Sequence, residues 1–191
     1  MREEEPLITD RVDAEVVLTL CCVVGMLAPM MAQEWYQLSS AEGAFTAYFP
    51  ARPEYRPVSV GQGKYWPQWV LETPAGSFFV DYSDLRLPPE EVARAGGVEE
   101  LLDRLSYAGS AIAFLHTILS VRRITYGGYP AREMVVQATG LFPTLDREMV
   151  HRHRHMIVGD RYYHWSYQGR PGTQDGADVQ RFLDSLVIER R

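Results

Sequence analysis

Cysteine is confined to a single adjacent pair, Cys21 and Cys22, in a chain of 191 residues. Both lie in an apolar N-terminal stretch. The rest of the chain can therefore form no disulfide, no thiol nucleophile and no cysteine-bound zinc site. Lysine is rarer still: Lys64 stands alone beside 18 arginines, a bias of base composition rather than of function. An excess of positive charge is missing too. The formal net charge is −6, and residues 1–32 carry −4 of it, with two Arg against six Asp or Glu. The remaining body is close to neutral and has no field to gather a polyanion, so nucleic acid is excluded as a partner. No Gly-x-Ser-x-Gly turn occurs, and Gly61-Gln62-Gly63-Lys64 lacks the spacing and the strand–loop–helix setting of a phosphate loop.

Charge is absent again between Val16 and Gln33. That length suits a secretory apolar core with its cleavage region and is short for a bilayer span, which needs about 20 residues. The flank before it, Arg2 to Glu15, is acidic, whereas export signals begin positive. An early start, a tolerated acidic arm and a buried core helix all account for this. We read residues 1–32 as an acidic arm plus an apolar signal peptide or membrane anchor, and residues 33–191 as one domain. The body is then expected outside the cytoplasm, periplasmic, secreted or membrane-anchored, and touches a membrane only through residues 16–32 if they stay uncleaved.

What is present in the body is aromatic: 11 Tyr, 7 Phe and 4 Trp in the whole chain, enough for a sizeable core. Ala44–Phe49 reads as a strand stopped by Pro50 and Pro53. Tyr55–Gly63 reads as irregular. Trp69–Thr73 and Ser77–Asp84 read as strands joined at Pro74-Ala75-Gly76. Pro88-Pro89 followed by Glu90-Glu91 starts a helix, and Gly96-Gly97 interrupts it. It restarts with Val98, Leu101, Leu102 and Leu105 on one face and continues loosely to Ile112 and Leu115. Ile118–Tyr126 and Ala131–Ala138 form a hairpin, as do Arg147–Val158 and Arg161–Gln168 around Gly159-Asp160. A last helix is expected over Ala177–Ile188, capped by Asp175. Strands, helix, strands and helix in that order predict an α+β fold: a mainly antiparallel sheet of about six or seven strands with helices packed on it, preceded by an apolar N-terminal helix.

The sharpest chemical signal is His151-Arg152-His153-Arg154-His155. In a strand the three histidines share one face and the two arginines the other. A two-residue turn at Gly159-Asp160 sets His155 opposite His164, His153 opposite Ser166 and His151 opposite Gln168, with Tyr162 beside the patch. Arg152 and Arg154 then oppose Tyr167 and Trp165, a setting for guanidinium stacking. His153, His155 and His164 are candidate ligands for zinc or another borderline metal, with His151 as an extra ligand. Two other readings stay open: a hydrogen-bonded, partly solvated sheet face, and a pH-sensitive patch. No carboxylate is placed by local spacing to orient the imidazoles. Asp81 and Asp84 fall on opposite strand faces and read as solvated. Ser185, Asp184 and His116 make an unconvincing triad, since Ser185 falls within the expected last helix. Trp66, Trp69, Tyr65 and Phe78-Phe79 suit either core packing or a ligand groove.

Four segments in order complete the pattern: Phe45–Pro50 (FTAYFP) with Pro53, Gly128–Glu133 (GYPARE), Val158–Tyr163 (VGDRYY) and Arg181–Leu186 (RFLDSL). Over about residues 35–190 they resemble small exported bacterial proteins of the PsbP-like α/β/α sandwich superfamily, which includes an extrinsic photosystem subunit and a nuclear-transport accessory protein. The resemblance implies a sheet between helices and an accessory or binding role with no shared catalytic constellation. It carries over no site residue. The function expected from all this is a non-enzymatic extracytoplasmic binding or accessory domain without a cofactor, whose partner is a protein or small ligand of the cell envelope. The alternative is a zinc-binding protein or metal-dependent hydrolase using the histidine patch.

Overall fold

The computed structural model describes residues 34–59, 63–110, 116–138 and 148–189. The arm and apolar segment 1–32, the helix extension 111–115 and Gly61-Gln62 lie outside the described residues. The fold belongs to the unit Glu34–Arg191. Among the described residues no helix is long and apolar enough to cross a membrane.

Among the described residues, twelve strands and three helices follow one another as β1 Tyr36–Ser40, β2 Phe45–Phe49, β3 Glu54–Tyr55, β4 Val58–Ser59, β5 Tyr65–Trp66, β6 Gln68–Thr73, β7 Gly76–Asp84, α1 Pro89–Arg94, α2 Val98–Ser110, β8 His116–Tyr126, β9 Tyr129–Ala138, β10 Met149–Val158, β11 Arg161–Gly169, α3 Ala177–Leu183 and β12 Val187–Ile188. The main sheet has seven strands in the order β3-β6-β7-β11-β10-β9-β8, every pairing antiparallel. A three-stranded sheet β1-β2-β12 and a ribbon β4-β5 accompany it.

Strand alternation divides the main sheet into two buried faces. On one, Tyr163, Trp165 and Tyr167 of β11 and Phe78, Val80 and Tyr82 of β7 pack with Phe45 and Phe49 of β2 and Val179, Phe182 and Leu183 of α3. Their rings meet mostly edge-on or tilted, as for Phe78 and Phe182 at 5.1 Å and Phe45 and Tyr163 at 6.3 Å. Each large side chain buried here contributes about 1.5–3 kcal/mol. On the other face, Leu101 and Leu102 of α2 cover Ile157 and Tyr162. The helices thus lie on both faces, and the sandwich expected from sequence is present.

Helix α1 has Pro at its first turn with Glu90 and Glu91 beside it. Gly96 and Gly97 take φ of +94° and +96°, a region open to glycine at little cost, and so separate α1 from α2 as expected. The last helix is shorter than its periodicity suggests: it ends at Leu183, and Val187–Ile188 instead pair with Thr46 and Phe45 of β2. Tertiary partners explain the early stop. The Leu183 carbonyl accepts from Trp165 Nε1 at 2.9 Å and from Arg154 Nη1 at 2.8 Å, while Ser185 Oγ accepts the Tyr48 amide at 2.9 Å. Gly176, not Asp175, is the N-cap, because Asp175 pairs with Arg152. Tyr55–Gly63, expected to be irregular, contributes to the short strands β3 and β4. Strand β1 has no anticipating signal beyond its pairing with β2.

The arginines of β10 also differ from expectation. They do stand opposite Tyr167 and Trp165 in register, but their charges go to Glu133 of β9. Arg154 Nε donates to Glu133 at 2.8 Å and Arg152 Nη2 at 3.1 Å, with Arg122 a third partner. The ring under Arg154 is Tyr126, 5.3 Å away. Burial pushes the Glu133 carboxyl up, but the hydrogen bonds from Arg122 and Arg154 and the charges of Arg152 and Arg154 outweigh it and hold the group below its ordinary value.

Candidate functional site

The site begins at a turn. Gly159, with φ +63°, and Asp160 form a two-residue connection between β10 and β11. Only the first turn residue has positive φ, the pattern of a type II′ hairpin, for which glycine in first place is preferred. The turn sets the register: Val158 faces Arg161 and His155 faces His164. A slip of one residue would send every histidine to the aromatic face.

The register puts a polar row across the buried sheet face under α2. Gln68 of β6 pairs with Asp81 of β7, Asp81 with His164, His164 with His155, and His155 with Arg132 of β9. Each member is hydrogen-bonded. Gln68 Nε2 donates to Asp81 Oδ2 at 3.3 Å, and His164 Nδ1–H donates to the same oxygen at 2.9 Å. That bond leaves the His164 Nε2 lone pair available, and His153 Nδ1 lies 2.9 Å from it. With neutral rings, His153 is the donor of that contact. His155 Nδ1 meets Tyr162 Oη at 2.6 Å, while His155 Nε2 is buried without a partner. Arg132, at 1% exposure, is held by Glu99 and Asp103 of α2. Its hydrogen bond is the main cause of the lowered Asp103 carboxyl.

The ring planes are nearly parallel: centroids lie 4.8 Å apart for His155 and His164, 5.2 Å for His153 and His164, and 5.5 Å for His151 and His153. The four expected histidines therefore share one patch, with Tyr162 beside it. His153, His155 and His164 each offer a ring nitrogen within 4.8 Å of the others, a group that His151 does not join. Beside the patch opens a cavity of about 420 Å³ lined by His155, His164, Asp81, Trp66, Leu85 and Leu105 among others. Burial, then the neighbouring His164 charge, drives His155 well below its ordinary value, and burial with Asp81 raises the Tyr162 hydroxyl.

Asp81 is the residue that sequence reasoning missed. It was expected to be solvated, yet it is 6% exposed and orients His164. The local sign was a carboxylate inside an apolar run, Phe78 to Tyr82, where burial demands a partner. Asp84 pairs with Arg161 at 2.6 Å. Of the imagined triad, Ser185 bonds Tyr48 and Phe182, and Asp184 accepts from Arg154 and Gln180. The His116 side chain lies outside the described residues. Trp69 and Phe78 belong to the core and Trp66 to the cavity, so the aromatics divide between the two roles weighed for them.

His155 sets a pH dependence for the metal-free domain. The unfolded chain takes up its proton near pH 6.5, whereas the folded ring, packed by His164, His153, Tyr162, Asp81 and Arg132, resists it. The unfolded state then binds more protons as pH falls below 6.5, so stability drops there, with a slope approaching about 1.4 kcal/mol per pH unit. Glu133 and Asp103, held low by arginines, lose their contribution only in the more acidic range below 4.5. Urea melts in chelator between pH 7.5 and 5.0 should show this slope flattened in His155→Gln. An equal slope in both proteins would refute the assignment.

No protein-family model matches the sequence, and no curated protein is significantly similar to it. Solved structures do match. Cyanobacterial PsbP (CyanoP) from Synechocystis sp. PCC 6803 superposes with a TM-score of 0.52 at 10% identity, covering 87% of this chain and 99% of its own. The fold is PsbP-like. A Bacteroides thetaiotaomicron protein gives a TM-score of 0.50 at 10% identity over 83% of this chain, which spans 50% of that protein's length. LpqN, described as involved in cell envelope biogenesis of Mycobacterium tuberculosis, gives 0.46 at 10% identity, over 82% of this chain and 91% of its own. At such identities the likeness is one of architecture alone.

Proposed function

We propose that this PsbP-like domain is an extracytoplasmic binding or accessory module that holds a zinc-like transition-metal ion on His153, His155 and His164. The observation that carries the reading is the convergence of one ring nitrogen from each of three histidines within 4.8 Å. His155 also has a buried Nε2 without a partner. Tetrahedral zinc with bonds of about 2.0–2.1 Å needs donor atoms about 3.3 Å apart, so the rings must turn to close this spread. The ion would replace the proton shared by His153 and His164. Asp81 on His164 supplies the carboxylate–histidine support that fixes a ligand ring and raises its basicity.

Binding is favoured over hydrolysis by the lack of a free base. Asp81 is the only carboxylate lining the cavity among the described residues, and it is engaged by His164 and Gln68. Location outside the cytoplasm is supported by the uncharged stretch Val16–Gln33.

Elemental analysis of the domain equilibrated with zinc and desalted tests the reading. One equivalent is expected in the wild type and a loss in His153→Ala, His155→Ala and His164→Ala, with circular dichroism confirming that each variant is folded. Zinc retained in all three folded variants, or none in the wild type, would remove the proposal.

A further inference from the structure

The cavity next to the histidines has a composition that three ligands and an ion do not explain. It is lined by Trp66 and Val58 from the β4–β5 ribbon, by Leu85, and by Leu105 from α2, with polar groups from His155, His164, Tyr162, Asp81, Gln68 and Ser83. Two of these apolar groups are exposed: Trp66 is 43% and Val58 39% accessible. A mostly apolar lining with a few polar groups is the common design of a small-molecule pocket. The volume of about 420 Å³ is well above the ~150 Å³ that encloses a benzene molecule.

We infer that this cavity takes a small organic ligand with an aromatic or branched apolar body and one metal-coordinating head group, such as a carboxylate or hydroxamate. This rests on the metal reading. The head completes the coordination left by three histidines, beside His155 and His164. The body lies against Trp66, Val58, Leu85 and Leu105. Because the only carboxylate of the lining is already bonded to His164, an anionic head meets a histidine-bound cation rather than an uncompensated negative charge. Gln68 and Ser83, also at the wall, provide hydrogen-bonding groups near the head. The metal alone accounts for the histidines; the apolar wall accounts for selectivity among its ligands.

Cobalt(II) in place of zinc gives a visible spectrum that reports ligands entering the coordination sphere. The full chain loaded with one equivalent is titrated with benzohydroxamate and with acetohydroxamate, which share a head and differ in the apolar body. Benzohydroxamate is expected to change the spectrum at a concentration at least about tenfold lower. Trp66→Ala and Leu105→Gln should reduce that preference severalfold while leaving the starting cobalt spectrum unchanged. Trp66 is half-exposed, so its variant keeps the test valid if Leu105→Gln does not fold. If no cobalt spectrum forms, the metal reading fails and takes this inference with it. If the spectrum forms but both hydroxamates act alike, or the preference survives in the folded variants, only the ligand inference is overturned.

Discussion

Saturating zinc is expected to raise the melting temperature of the domain by about 5–10 °C at neutral pH. An ion that binds the folded state alone stabilises it by about 2.7 kcal/mol at a hundred times its dissociation constant. In a domain of this size each kcal/mol moves the midpoint by about 2–4 °C. Unfolding separates His153 from His164 by 10 intervening residues, so the unfolded chain retains at most a weak site. Asp81→Asn makes the shift diagnostic. It keeps the shape of the side chain and removes the charge that holds His164 Nδ1–H, which should weaken zinc by about 10–100-fold. At a fixed zinc concentration the midpoint shift should shrink to a few degrees or less. Scanning calorimetry with and without chelator reads both effects. A wild-type midpoint indifferent to zinc, or an equal shift in His155→Ala, contradicts the metal site.

The other large effect concerns the opposite face. Glu133→Gln should destabilise the domain by about 3–5 kcal/mol, because removing the charge takes away the one buried counter-ion of Arg152 and Arg154 and leaves them only the exposed Asp175 and Asp184. Both arginine side chains are 7% exposed and Glu133 is 2% exposed, so water cannot take the carboxylate's place. Arg122, the third partner, is 62% exposed, and Arg122→Ala should cost less than about 1 kcal/mol. Replacing Glu133, Arg152 and Arg154 together by Leu, Leu and Met should recover most of the loss, since no buried charge is then left unpaired. Urea unfolding of the four proteins measures the set. A Glu133→Gln change below 1 kcal/mol would mean that the cluster is hydrated or rearranges.

The histidine patch was legible in the chain to an unusual degree. The alternation of His and Arg from 151 to 155 assigns faces, and the turn at Gly159-Asp160 assigns partners. Together they yield the His155–His164 contact without any distant information. The partner of Asp81 was not legible because it stands 83 positions from His164 and its strand joins β11 only through the order of the sheet. The cavity was hidden for the same reason: Trp66, Leu105 and Tyr162 come from a ribbon, a helix and a strand that meet only in three dimensions. Glu133 stood in plain view within the GYPARE segment, but its role depends on β9 lying beside β10.

Local order came from periods and breakers. Gly96-Gly97 divided the helices, and paired prolines and glycines marked the hairpins. These are short-range steric and hydrogen-bonding effects that any chain with those residues feels. The ending of α3 at Leu183 and the pairing of Val187–Ile188 with β2 were decided elsewhere, by Arg154 and Trp165 taking the Leu183 carbonyl and by an open strand edge that needed partners. The sequence by itself determined which faces of each element are apolar and which residues neighbour one another across a tight turn. Only the tertiary structure decided which buried carboxylate meets which cation or imidazole. The reason is that a buried charge chooses its partner by proximity across the sheet, and proximity there depends on strand order rather than on distance along the chain.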